Sequence, residues 1–151
     1  MNYEEFFNML EDEGHDMHLK DGAKPEDIEK FEKENGVILP TQFKEWLMFA
    51  DGGSLFLPGG PFFRSVSQKP FIDVNEPDRP NDNYVVIGFL SYGDPIMFEK
   101  GTQKIMIYDH EAGVIHDDEV YEDFNSFLKD YKNLFGIDWV IFNSIFIYKK
   151  M

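Results

Sequence analysis

Residues 39–53 read LPTQFKEWLMFADGG, a helix-length apolar stripe held between two chain breakers. Pro40 suits a first helical turn, where a missing N–H costs nothing. Phe43, Trp46, Leu47 and Ala50 recur at the spacing of one helix face. Gly52 and Gly53 stop that helix and permit a change of direction that a Cβ would resist. The spacing predicts a short helix, buried along one side, with a different kind of structure starting right after it.

The chain before this stretch is also helical in pattern. Tyr3, Phe6, Phe7 and Leu10 predict a helix over 2–12, ended by Gly14. GAKPEDIEKFEKENG, residues 22–36, predicts a second, with Pro25 in its first turn and Glu26 and Asp27 at the positive end of its dipole. Ile28 and Phe31 face its core side, and Asn35-Gly36 forms a left-handed cap. Beyond Gly53 the period falls towards 2. SLFLPG, FFRSV and FIDV, spanning 54–74, are strand-like pieces cut by Pro and Gly. The polar stretch 75–83 is a loop, YVVIGFL is a buried strand, and SYGDP is the turn after it. PIMFEK, QKIMIYDH and GVIHDD follow as successive strands. Phe124, Phe127, Leu128, Tyr131 and Leu134 then restore a helical stripe. Helices, then strands, then a helix indicate an α+β fold with a mixed, mostly antiparallel sheet.

The domain is expected to span 1–136, with an apolar tail over 137–151. WVIFNSIFIY, residues 139–148, is too short for a membrane helix, which needs about 20 residues. It reads as an added edge strand, a short docked helix or a contact between copies in a homo-oligomer.

The chain has 151 residues, an aromatic fraction of 17% and no cysteine. A real core is therefore expected, while disulfides, cysteine-bound zinc and thiol catalysis are excluded. The acidic start is unlike a signal peptide, so the expected location is cytoplasmic. The formal net charge is −15, from 29 acids against 14 bases. Such a field repels nucleic acid and anionic membranes and attracts a basic partner. The acids cluster. Residues 1–16 hold Glu4, Glu5, Glu11, Asp12, Glu13 and Asp16, and residues 109–123 hold Asp109, Glu111, Asp117, Asp118, Glu119, Glu122 and Asp123, with no Lys or Arg in either segment.

Signs of catalysis are weak. His15 and His18, or His110 and His116, would need carboxylates in the right places to hold a metal, and loop histidines beside acids are commonly just solvated. LPGGPFF lacks the Lys-Ser/Thr of a phosphate loop, and no nucleophile elbow or His-Glu-x-x-His helix occurs. Asp117, Asp118 and Glu119 offer paired carboxylates with nothing to place them in a pocket. Neither an enzyme nor a cofactor or metal is expected.

GVILPTQFKEWLMFADGG, residues 36–53, resembles the signature of the SUKH superfamily, which includes bacterial immunity proteins and a fungal cell-wall synthesis regulator. The residues that carry it are Leu39-Pro40, Phe43-Lys44, Trp46-Leu47 and Gly52-Gly53. Gly93-Asp94 resembles the turn after the family's central strand, and YEDFNSFLKDY its closing helix. The match covers roughly 20–135 in one order, so the tail inherits nothing from it. Asp51 departs from the usual asparagine, a swap expected to keep the helix-end chemistry. The resemblance implies an α+β fold and a protein-binding role without catalysis. Leu39, Pro40, Phe43, Trp46, Leu47, Gly52, Gly53, Gly93 and Asp94 are its structural signature. The expected function is immunity: binding a basic, nuclease-type toxin domain through the acidic surface of residues 109–123. The alternative is a cytoplasmic regulatory or scaffold domain with no toxin partner.

Overall fold

The computed structural model describes residues 1–57 and 59–131. Helix α1 (Tyr3–Asp12) leads into strand β1 (Asp16–Leu19), followed by α2 (Pro25–Asn35) and α3 (Thr41–Phe49). Strands β2 (Gly53–Leu57), β3 (Phe62–Phe63), β4 (Tyr84–Phe89), β5 (Pro95–Glu99), β6 (Ile105–Ile107) and β7 (Val120–Tyr121) precede α4 (Phe124–Lys129). Among the described residues these strands form one seven-stranded sheet in the order β1-β2-β3-β4-β5-β6-β7. All neighbouring pairs are antiparallel, and the parallel component is one isolated bridge between Ser65 and Phe71. The α+β architecture is the one the sequence implies.

Alternation along the central strands divides the apolar residues between two faces. Val85 and Ile87 of β4, Ile96 and Phe98 of β5, and Ile105 and Ile107 of β6 join the main core with all four helices. Val86, Met97 and Met106 point the other way and form a small second cluster with Tyr84, Phe89, Tyr108 and Ile115. Both faces of β4 to β6 are therefore apolar, which is why YVVIGFL reads as a continuous run.

The opening stretch behaves as its spacing predicts. Phe43, Trp46 and Leu47 are fully buried on the inner side of α3. The Trp46 ring lies against Tyr3, Phe49, Phe63 and Phe124, with centroids 5.3 to 6.0 Å away. Gly52 and Gly53 both adopt positive φ, +98° and +118°. A Cβ on Gly53 would stand 2.3 Å from the His18 carbonyl oxygen, so this glycine also lets β2 close on β1.

Three local expectations are corrected. Strand β1 was not expected: Met17 and Leu19 do alternate inward with Asp16 and His18 outward, but over four residues only. FIDV is not a strand. One bridge to Ser65 forms, and then the Asp73 carboxylate takes the Asn75 N–H at 2.8 Å and turns the chain. GVIHDD is not a strand either. Asp109 gathers the N–H groups of Ala112, Gly113 and Val114 onto its carboxylate and carbonyl, folding the segment into a turn. A 3₁₀ turn over Asp117–Glu119 follows.

Asp51 also does more than end a helix. It is wholly buried, and its carboxylate accepts from Val66 N–H at 2.8 Å, Ser67 N–H at 3.1 Å and the Ser67 hydroxyl. It fastens the exit of α3 to the loop after β3. The expected tail and the boundary after residue 136 lie outside the described residues.

Candidate acidic interface

The β4–β5 turn is built tightly. Leu90 N–H donates to the Asp94 carbonyl and Gly93 N–H to the Leu90 carbonyl, both at 2.9 Å, with Gly93 at φ +100°. This reversal leaves Tyr92 at its tip, 60% exposed. The Asp94 side chain then reaches across to the loop between β6 and β7. It contacts His110 Nδ1 at 2.5 Å and accepts from the His110 backbone N–H at 3.2 Å. One carboxylate thus ties two loops into one surface.

On the far side of that loop His116 Nε2 lies 2.9 Å from the Asp109 carboxylate. The two groups shift each other's titration. The hydrogen bond to His116, aided by backbone N–H groups of Ala112 and Glu111, lowers the Asp109 pKa. The same bond to Asp109, with the charges of Asp109, Glu119 and Asp118 behind it, raises that of His116. Glu119 is raised by burial first and then by the charges of Asp118, Asp94 and Asp109. Tyr92 is pushed up to about 12 by burial and by Glu119, Asp94 and Asp109. The charges of Asp94, Asp109 and Glu119 thus reach the protruding Tyr92, and Asp118 acts on Glu119 beside them.

The seven candidate residues are therefore not one patch. Asp109 and Glu119 act on Tyr92, and Asp118 acts on Glu119. Glu111 and Asp117 are exposed on the same loop. Glu122 is exposed between β7 and α4. Asp123 plays a different part. Its carboxylate caps α4 by accepting from Ser126 N–H at 2.8 Å, which lowers its pKa. It faces Gln42 and Tyr3, at the junction of α1, α3 and α4. There burial first, and then the charges of Glu45 and Asp123, raise the Tyr3 pKa.

SYGDP is a turn, as its composition predicts, but nothing in the sequence singles out Tyr92 as the exposed aromatic at its tip. The histidines are not gathered. His15 is half-buried, 3.2 Å from Glu13 and edge-on to Phe56, while His18 is exposed on β1. Among the described residues no group of three or more His, Cys, Asp or Glu side chains is placed to hold a metal ion. No described helix is long and apolar enough to cross a membrane.

Comparison with known proteins accounts for the signature. The chain is 32% identical over 72 residues to an uncharacterized protein, YnaB, of Bacillus subtilis (strain 168). That similarity covers 48% of this chain and 47% of the relative, so the chain spans about half the length of the protein it matches. The model of the SMI1 / KNR4 family (SUKH-1) matches residues 22–130, from the turn before α2 through α4. The chain belongs to the SMI1 / KNR4 family (SUKH-1).

Proposed function

We propose that this protein is an immunity protein that binds a basic, nuclease-type toxin domain through the surface around Tyr92. The observation that carries the reading is an exposed aromatic at the tip of a turn that Asp94 ties to the acidic loop, within reach of the charges of Asp94, Asp109 and Glu119. Interfaces concentrate their energy in a few aromatic or arginine anchors, and a polar rim steers the encounter. Nucleases bind polyanions, so a basic cleft is the complement of this surface. A net charge of −15 supports the same pairing and opposes nucleic acid and anionic membranes as partners. On this reading the protein acts in the cytoplasm, with residues 1–136 as the binding domain.

The test uses the product of a toxin gene adjacent to this one. Binding is measured for wild type, Tyr92→Ala and the pair Asp118→Lys, Glu119→Lys. Loss of about 2 kcal/mol or more in the tyrosine variant is expected of a central anchor. Full affinity in both variants would remove this surface from the interface. Failure of every neighbouring toxin to bind would favour a regulatory or scaffold domain.

A further inference from the structure

Helices α2 and α3 meet along a seam that the acidic surface does not use. Pro25, Ile28, Glu29 and Glu32 stand at i, i+3, i+4 and i+7 on α2, and Thr41, Lys44, Glu45 and Met48 repeat that spacing on α3. Two helix faces of the same period thus lie side by side and enclose a trough of about 310 Å³. That is at the small end of the roughly 300–1,000 Å³ typical of ligand clefts. It has room for side chains rather than for a folded element.

The lining has a definite chemistry. Pro25 supplies apolar surface from α2 above the buried Ile28, and Met48 supplies an unbranched thioether that is 44% exposed. Such a side chain adapts to whatever lies on it. Four acidic or basic groups stand around this apolar strip, and they are not equivalent. Glu32 is already engaged: its carboxylate accepts Leu39 N–H at 2.7 Å and pairs with Lys44 at 3.5 Å. Lys44, the cation of the lining, is therefore neutralised within the fold. Glu29 and Glu45 are exposed, one from each helix, and neither has an ion-pair or hydrogen-bond partner among the described residues.

We propose that this trough is a second docking surface, shaped for an apolar side chain carried on a basic protein segment. Pro25 and Met48 receive the side chain over Ile28, and Glu29 and Glu45 pair with lysines or arginines on either side of it. Charge selects the occupant. A second copy of the chain would bring another net −15 to the contact, and nucleic acid would bring phosphates. A basic segment alone finds both attraction and apolar burial there. The inference rests on the geometry of the trough and is independent of the toxin reading.

The test uses the full chain and a synthetic helical peptide of Lys and Leu, at about 0.15 M salt, where the Debye length is near 8 Å. Two control peptides replace every Leu by Ser or every Lys by Glu. Backbone amide shifts are followed by NMR. The Lys/Leu peptide is expected to bind, with its largest shifts at Ile28, Glu29, Glu45 and Met48, and both controls to bind at least about tenfold more weakly. The double variant Glu29→Lys, Glu45→Lys and the single variant Met48→Ser are each expected to weaken binding several-fold. All three positions are exposed, and an unchanged urea midpoint checks that the variants fold. The variant Asp118→Lys, Glu119→Lys is expected to bind the peptide as wild type does. No binding overturns the proposal, as does equal affinity for the Lys/Ser control, or indifference to both trough variants. Shifts centred on Tyr92 and Glu119 would overturn it while leaving the toxin reading standing.

Discussion

Trp46 fills the centre of an aromatic cluster, and its indole Nε1 is buried with no hydrogen-bond partner among the described residues. Its value to the fold is therefore packing. Trp46→Ala is expected to cost about 3–5 kcal/mol, read as a lower urea midpoint. Trp46→Phe should cost less than half as much, since it keeps a ring and abandons no hydrogen bond. An unchanged midpoint in Trp46→Ala would place the residue outside the core. Asp51 is the opposite case, a buried polar group whose value is its bonds. Removing its carboxylate strands donors from Val66 and Ser67, at about 1–3 kcal/mol for each buried group left unpaired. Asp51→Ala should lose at least about 2 kcal/mol in the same assay. Asp51→Asn should fall between, because an amide turns one of the acceptors into a donor. A neutral Asp51→Ala would mean that water replaces all three bonds. The apolar role of Trp46 was legible from helical spacing alone. That of Asp51 was not, because its partners lie some fifteen residues on and no local pattern announces them.

At the scale of elements, the Gly pair after α3 and the glycine after α2 look alike in sequence but carry different loads. Gly36 caps α2 at φ +61°, and a Cβ there would meet nothing within 4 Å, so Gly36→Ala meets backbone strain alone, about 1–2 kcal/mol. Gly53→Ala, at φ +118° outside the left-handed helical well, meets greater strain and in addition the backbone of His18 and Leu19 on β1. Its urea midpoint is expected to fall further than that of Gly36→Ala, and equal losses would show that β1 yields freely. The loop between β6 and β7 makes a pH prediction. Asp109 is lowered and His116 raised, so their pair is intact between the two values. Its contribution is lost as pH falls through the depressed Asp109 value, and again as pH rises through the elevated His116 value. Asp109→Asn should bring the His116 ring titration, followed by NMR, down towards the ordinary histidine range. No movement would contradict the contact. Helices and the long strands were readable because their apolar period persists over several turns or pairs. Strands β1 and β7 were not, being only four and two residues long. GVIHDD has strand composition, yet the Asp109 carbonyl takes the N–H groups of Gly113 and Val114 at its start.

On the scale of the whole molecule, charge is the property the sequence states most clearly and places least well. The total of −15 and the acidic run over 109–123 are visible in the chain. Their division is not: Asp123 serves as a helix cap, while Asp94, from a different turn, joins Asp109 and Glu119 in acting on Tyr92. Contacts between loops some fifteen residues apart depend on how the meander stacks its ends, which no local period records. The same holds for the trough between α2 and α3, whose two faces share a spacing but meet only in the folded chain. The central claim is that the surface around Tyr92 captures a basic toxin partner by charge and a single aromatic anchor. Stopped-flow association with the neighbouring toxin, at salt concentrations where the Debye length falls from about 30 Å to about 10 Å, tests it most directly. The account predicts that wild-type association slows steeply over that range, that reversing Asp118 and Glu119 to Lys slows it at low salt and flattens the dependence, and that Tyr92→Ala raises the dissociation rate instead. A tight complex whose association ignores both salt and the charge reversal, with a dissociation rate unmoved by Tyr92→Ala, would contradict it.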